Sequence, residues 1–136
     1  MTTPSKDTDN YWISCTHEEI RRKSPPTKRC GKWLLFIPLS EIDAAWTKIE
    51  SDIKLGNLSF SAKVSTAKRN PNAVDPDTKV ICVYTPDSFD VQDVMRVRSR
   101  LRALGFTRKI PYKTDIATHQ GRYQVNGNQR ISSYYE

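Results

Sequence analysis

The sequence predicts an α+β fold in which a curved, mainly antiparallel sheet carries its helices on one face. Two observations predict this class. Strand and helix patterns follow one another in the order strand, helix, strand, strand, helix, strand, hairpin. The chain has 136 residues, 37% of them hydrophobic, which suffices for one continuous core. We therefore expect a single α+β domain over residues 31–136, preceded by a flexible or loosely docked segment over residues 1–30.

The N-terminal segment has little regular pattern. Its first ten residues are polar, and Tyr11, Trp12 and Ile13 are the first side chains that could dock on a core. A short helical turn is expected over residues 18–20. Residues 24–30 contain two prolines beside basic side chains, which is typical of an exposed linker. Trp12 lies outside the predicted elements and is the tryptophan most free to stack on a ligand.

The first predicted strand covers residues 32–37. It is apolar on both faces, as a central strand covered on both sides requires, and Pro38 ends it. The following helix is predicted to begin at an N-cap formed by Ser40 and to stop at Gly56. Its apolar residues recur at three- and four-residue spacing, and Trp33 and Trp46 are both expected in the core.

A half-buried strand follows over residues 58–64 and places Lys63 on its polar side. After a loop over residues 66–78, a β-branched strand covers residues 80–85. Asp87 or Ser88 is expected to cap the next helix, which ends at Gly105. Its predicted inner stripe is Val91, Val94, Met95, Leu101 and Leu104. Four arginines lie on its flanks, where we expect a solvated surface rather than an RNA-binding one: Arg96, Arg98, Arg100 and Arg102.

The remainder of the chain predicts a strand over residues 108–113 and a C-terminal hairpin. Asn126-Gly127 stands between two alternating segments, which is the strongest local hairpin signal available.

Charge and cysteine content narrow the classes of partner. The chain has 22 Lys and Arg against 15 Asp and Glu, a net charge of +7 that attracts phosphates, nucleic acids or anionic lipid. The three cysteines form no CxxC pair and indicate a reducing compartment, so we expect a cytoplasmic protein that could also enter the nucleus. A disulfide between Cys15 and Cys30 is the alternative. We expect no membrane span, while a protein partner and the oligomeric state stay open.

The sequence lacks the motifs of several common enzyme classes. The two histidines, His17 and His119, are not spaced with cysteines or carboxylates as a zinc site needs. The chain contains no GxSxG, GxGxxG or GxxxxGK[ST] motif. We therefore expect no metal and no cofactor, and we favour a protein that is not an enzyme.

Basic and aromatic residues at predicted strand ends are the candidate ligand-binding residues. Ammonium and guanidinium groups pair with phosphate oxygens, and an aromatic ring beside them can stack a base. Taken alone, a lysine such as Lys63 is more often just the solvated side of an amphipathic strand. The wider set is Lys32, Trp33, Lys63, Lys79, Tyr84, Tyr112, Lys113, Arg122 and Tyr123. From it we select Lys63, Lys113 and Arg122 for phosphate, Tyr84 or Tyr112 for stacking, and Lys32 beside them.

Several short motifs occur in a recognisable order. They are Gly31-Lys32-Trp33, Ala62-Lys63-Val64-Ser65, the strand from Val80 to Thr85, Leu104-Gly105, and Tyr112-Lys113-Thr114-Asp115 through Gly121-Arg122-Tyr123. Together they resemble the basophilic leukemia expressed protein family over residues 30–125. The resemblance implies a fold similar to that of the cap-binding translation initiation factor 4E.

A more distant similarity connects the chain with bacterial phosphothreonine lyases. That similarity implies a strand lysine as the base, a role that would fall to Lys63, and a histidine of the first strand as the acid. Residues 34–36 are Leu, Leu and Phe, so the acid would have to come from elsewhere, and His119 is the candidate.

Three hypotheses follow for function. The first is a non-catalytic module that binds a nucleotide, an RNA end or a phosphorylated partner on the concave face of the sheet. The second is a phosphothreonine-lyase-like enzyme that uses Lys63 as base and His119 as acid. The third is a protein-interaction scaffold with no small ligand, in which the basic residues only confer solubility.

Overall fold

The computed structural model describes residues 3–69, 77–115 and 134–136. Over these residues the sheet has six strands in the order β1-β3-β4-β2-β5-β6, and every neighbouring pair is antiparallel. The strands are β1 Trp12–Thr16, β2 Gly31–Pro38, β3 Ser61–Ser65, β4 Thr78–Thr85, β5 Pro111–Thr114 and β6 Tyr134–Tyr135. The α-helices are α1 Glu18–Lys23, α2 Ile42–Lys54 and α3 Val91–Ala103. The predicted fold class is confirmed.

The core lies between one face of the sheet and helices α2 and α3. Trp33 and Trp46 are almost fully buried in it, as predicted. Helix α2 contributes the apolar residues of the predicted repeat, and α3 contributes Val94, Val97 and Leu101. The predicted stripe was wrong at Val91, which is 49% exposed because it stands in the first turn of α3, beyond the edge of the core.

The two long helices begin later than the sequence indicated. The N-cap of α2 is Glu41 rather than Ser40, and its side chain makes no capping hydrogen bond. A carboxylate of the first turn, Asp43, instead accepts hydrogen bonds from the backbone N–H and the hydroxyl of Ser5. Helix α3 is capped by Asp90, which accepts from the N–H of Asp93, so neither Asp87 nor Ser88 is its cap.

The N-terminal segment contains a strand that the sequence analysis did not predict. Residues 12–16 form the edge strand β1 and pair with β3 in the register Trp12↔Ser65 to Thr16↔Ser61. Before it, Pro4 is buried and its carbonyl accepts from the N–H of Ala67. The carboxylate of Asp7 accepts from the N–H groups of Asp9 and Asn10. The Ser5–Asp43 bonds connect the segment to α2, and the Pro4–Ala67 bond connects it to the residues that follow β3.

The four arginines of α3 are not a simple solvated surface, because each has partners within the protein. Arg98 is buried and donates to three backbone carbonyls. Arg100 makes a two-bond ion pair with the buried Asp52 of α2. Arg96 contacts Asp93 and two carbonyls, and Arg102 donates to the carbonyl of Thr107. Much of the positive charge of this helix is therefore used to hold the helical layer together.

The remaining predictions fall on other parts of the chain. The Asn126-Gly127 hairpin and part of the loop over residues 66–78 lie outside the described residues. Cys15, Cys30 and Cys82 are all free and buried, so Cys15 and Cys30 form no disulfide. Within the described ranges, no helix combines the length and apolar character needed to cross a bilayer.

Candidate functional site

The sheet has a second face, opposite α2 and α3, which we call the polar face. Because strand side chains alternate, the buried residues Trp33, Ala62 and Val83 fix which side of each strand meets the helices. The alternate positions form the polar face, and those that matter here are Trp12, Ser14, Lys32, Ser61, Lys63, Cys82, Tyr84 and Lys113.

The pairing register aligns several of these residues across the sheet. Ser61 is paired with Tyr84, Tyr84 with Lys32, and Lys32 with Lys113, so the four stand in one row over four adjacent strands. Lys63 stands one row further along β3, between Ser14 and Cys82. Four of the six residues selected from the sequence therefore share this face.

Lys63 lies against an aromatic ring. Its ammonium nitrogen is 4.0 Å from the ring centroid of Trp12, which belongs to the neighbouring strand β1. A cation over an indole ring gains about 1 kcal/mol and stays available to an anion on its other side. Among the described residues Lys63 has no carboxylate within ion-pair distance, and the same holds for Lys113.

Lys32 is paired differently. Its ammonium group donates to the carboxylate of Asp115 at 2.8 Å, and the side chain of Lys32 is only 14% exposed. The backbone N–H of Asp115 donates to the carbonyl of Cys30 at 2.9 Å, which fixes the carboxylate at the end of β5. The same ammonium lies 5.9 Å from the ring centroid of Tyr84. Lys32 thus has an internal partner within the row, while Lys63 and Lys113 have no carboxylate partner in the part of the chain that the structure describes.

Burial keeps one phenol and two thiols on this side of the sheet in their neutral forms. It raises the pKa of the Tyr84 phenol above its ordinary value, with Cys82 and Asp115 adding to the shift. Tyr84 is therefore a phenol at neutral pH and can donate a hydrogen bond to a phosphate oxygen. Burial also raises the pKa of Cys82 to about 11 and that of Cys30 to about 12. Both remain thiols near pH 7, a form poorly suited to nucleophilic attack.

The spacing of the two unpaired cations limits the ligand. Lys63 on β3 and Lys113 on β5 are separated by β4 and β2, hence by three strand spacings, or about 14 Å. A lysine side chain reaches about 6 Å from its Cα, so one phosphate can contact both only if the two side chains lean together. A ligand with several phosphates, or with a phosphate and an aromatic base, spans this distance more easily.

One of the six selected residues lies on the other face of the sheet. Tyr112 was selected for stacking, but it is fully buried on the helix-covered face, where its hydroxyl bonds the hydroxyl of Thr85 at 2.6 Å. Its ring fits there because Gly31 has no side chain: an added Cβ would lie 2.2 Å from the Tyr112 oxygen. Trp33, from the wider set, packs edge-on against Tyr112, their ring centroids 5.1 Å apart, and Lys79 is also buried on that side.

Three further candidates, Arg122, Tyr123 and His119, lie outside the described residues. The sequence analysis did not select Asp115, which orders Lys32. Trp12 was considered only as a free tryptophan. No local signal could have joined Lys32 with Asp115, because 83 positions separate them in the sequence.

Comparison of the fold with solved structures shows the structural class of the protein. Two solved structures of schistosome eIF4E superimpose on it, one complexed with m7GpppA and 4E-BP and one with m7GpppG and 4E-BP. Their TM-scores are 0.69 and 0.68 at 12% and 14% sequence identity, and each match covers 100% of this chain and 75% of the other. The protein therefore has an eIF4E-like fold.

The family follows from the sequence match. The model of the basophilic leukemia-expressed protein Bles03 family matches residues 7–121, and this chain belongs to that family. The resemblance seen in the sequence is confirmed.

Proposed function

We propose that this protein is a non-catalytic binding module that holds a phosphorylated ligand on the polar face of its sheet. The observation that supports this best is the pair of cations, Lys63 and Lys113, which have no carboxylate partner among the described residues and stand on either side of Tyr84. Cations without an internal partner are free to pair with phosphate oxygens. Lys32 already has one, Asp115, so its main role is to order the site.

Within the phosphorylated ligands, we favour a nucleotide or an RNA end over a single phosphorylated side chain. The separation of about 14 Å between the strands of the two cations suits a chain of phosphates or a phosphate with a base. Tyr84 and Trp12 offer rings for such a base, at about 1–3 kcal/mol for each stacked base. The eIF4E-like fold adds support by analogy alone, since schistosome eIF4E is complexed with a cap dinucleotide.

Calorimetric titration at low salt tests the proposal. The probes are GTP, ATP, m7GpppA, a short 5′-triphosphate RNA, a phosphothreonine peptide and inorganic phosphate. We expect a polyphosphate nucleotide to bind more tightly than inorganic phosphate. Lys63→Ala and Lys113→Ala should each weaken binding by about 10-fold, because each removes one charge-assisted contact of about 1.4 kcal/mol.

Lys54→Ala is the matched control, because Lys54 is an exposed lysine of α2, in the helical layer behind the sheet. It should leave the affinity unchanged. Absence of binding to every probe, or binding that neither polar-face variant weakens, would reject the proposal. The lyase hypothesis stays a prediction, since its acid, His119, lies outside the described residues.

A further inference from the structure

A groove of about 950 Å³ lies beside the C-terminal half of β2, away from the polar-face lysines. One wall is the end of β2, and the opposite wall is the segment 105–111 that leads into β5. The first turns of α2 form its floor, where the small side chains of Ala44 and Ala45 leave room. Phe36 and Tyr135 also line it and are 58% and 60% exposed.

The groove exists because β2 is longer than its partner on this side. β5 pairs with β2 only from Gly31 to Trp33, so residues 34–38 are paired with β4 on one side and have no strand on the other side among the described residues. The register would place Pro111 opposite Leu34. Proline has no N–H to donate, so pairing stops there.

The backbone of β2 directs hydrogen-bonding groups into this gap. In an antiparallel sheet, successive residues turn their N–H and C=O groups to alternate neighbours. Cys30 accepts from the N–H of Asp115, so even-numbered residues of this strand face β5. Leu34 and Phe36 continue that series. The N–H of Leu34 already donates to the carbonyl of Pro111, as the Trp33↔Tyr112 pair requires, so the C=O of Leu34 and both backbone groups of Phe36 point into the groove.

The charges around the groove are mostly positive. Lys48, Arg108 and Lys109 line it, against one carboxylate, that of Glu41. All three cations are exposed, and the ammonium of Lys48 lies 6.0 Å from the ring centroid of Phe106. An occupant with carboxylates would be attracted to this rim, and one with lysines repelled.

We propose that this groove binds an extended segment of a partner protein, in which apolar residues alternate with acidic ones, and that the segment joins the sheet as an extra strand beside residues 34–38. Backbone hydrogen bonds to Leu34 and Phe36 supply the strand geometry, the apolar floor receives alternate side chains, and the cations select carboxylates. Among the described residues β1 is the edge strand on the other side of the sheet. RNA would satisfy the cations and leave the apolar floor and backbone groups unused.

Selection from a displayed library of random decapeptides tests this binding mode. We expect enriched sequences to alternate apolar and acidic residues. A synthetic peptide of the enriched sequence should protect the Phe36 amide from hydrogen exchange. Two further peptides carry N-methyl groups at every second residue, in the two alternate positions. Methylation of the peptide nitrogens that face β2 should abolish binding, and methylation of those that face away should leave it unchanged. This comparison needs no change in the protein.

Charge reversal gives a second, independent readout. Lys48→Glu should weaken the selected peptide by about 5- to 10-fold, whereas Lys54→Glu, on the same helix but outside the groove, should change its affinity less than about 2-fold. The proposal is overturned by a library without enrichment, by enriched basic sequences, by a helical bound peptide, or by protection of the Ser14 amide of β1 in place of Phe36. None of these outcomes bears on nucleotide binding at the polar face.

Discussion

Arg98 is the residue at which charge and burial conflict most. It is 3% exposed, yet its guanidinium keeps hydrogen bonds of 2.9, 2.9 and 2.6 Å to the carbonyls of Glu136, Phe106 and Arg108. Burial lowers its pKa, and Arg102 lowers it further. An arginine suits this position because the N–H groups of its planar guanidinium point in several directions, whereas the single nitrogen of a lysine could not reach all three carbonyls. Arg98 thereby connects α3 with β6 and with the segment that precedes β5.

Replacing Arg98 should therefore destabilise the fold. We expect Arg98→Met to lower the free energy of unfolding by about 2–4 kcal/mol, because it leaves carbonyl groups without donors. Arg98→Lys should fall between this variant and the parent. Urea unfolding followed by circular dichroism measures both. Arg22→Ala, an exposed arginine of α1, is the control and should stay within about 0.5 kcal/mol of the parent. A loss below 1 kcal/mol for Arg98→Met would contradict this role.

Individual residues also show where the sequence is informative. Trp33 and Trp46 could be assigned to the core because their neighbours repeat with strand and helix periods. Arg98 could not, since a charged residue on a helix is expected at the surface and only tertiary contacts reverse that expectation. Tyr112 was misassigned for the opposite reason: it directly precedes Lys113, and its burial depends on the absence of a side chain at Gly31.

Two loops form a connected element at the end of the sheet that carries Lys32. The bases of both loops are hydrogen-bonded: the N–H of Thr27 donates to the carbonyl of Pro86, and that of Ser88 to the carbonyl of Arg29. The guanidinium of Arg29 donates twice to Asp87 and also lies 4.9 Å from the ring centroid of Phe89. The segment expected as an exposed basic linker is exposed over residues 24–29, and it is also hydrogen-bonded to the loop before α3.

The Arg29–Asp87 pair should give the protein a measurable acid dependence. Hydrogen bonds from Arg29, followed by the N–H of Phe89, lower the pKa of Asp87 from 3.8 to about 2. Because the folded-state pKa is the lower one, the stabilisation is present above about pH 4 and is lost as the pH falls towards 2. Asp87→Asn should therefore lose less stability than the parent between pH 4 and pH 2, as followed by thermal unfolding.

The exposed Asp9 offers a matched control for this change. Asp9→Asn should retain the acid dependence of the parent. A slope for Asp87→Asn that equals that of the parent over the same interval would show that the loop pair contributes nothing to acid stability.

Elements differ in how well the sequence predicts them. The strands of the sheet centre and the two long helices could be predicted, because each buries a periodic apolar face. β1 was missed because residues 12–16 lie between polar segments and pair only at the edge of the sheet, 45 to 53 positions from their partners in β3. The first residues of α2 and α3 were misplaced because two bonds cannot be read from the spacing of apolar residues. Asp43 accepts a tertiary hydrogen bond from Ser5, and Asp90 accepts the capping hydrogen bond from Asp93.

At the scale of the whole molecule, one sheet separates two surfaces of different character. The helical side uses its arginines internally, whereas the polar face retains Lys63 and Lys113 without carboxylate partners among the described residues. Net charge alone could not indicate this division, because the sequence counts every basic residue equally. Only the register of β3, β4, β2 and β5 brings the lysines to one face.

Two-dimensional NMR of the protein titrated with GTP tests whether a nucleotide binds to the polar face. We expect the largest chemical-shift changes at Lys32, Lys63, Tyr84 and Lys113 and at their neighbours on the polar face, and no change at Lys54 of α2. Shifts confined to the helical side or to the groove beside β2, or no shift at all at millimolar GTP, would contradict it.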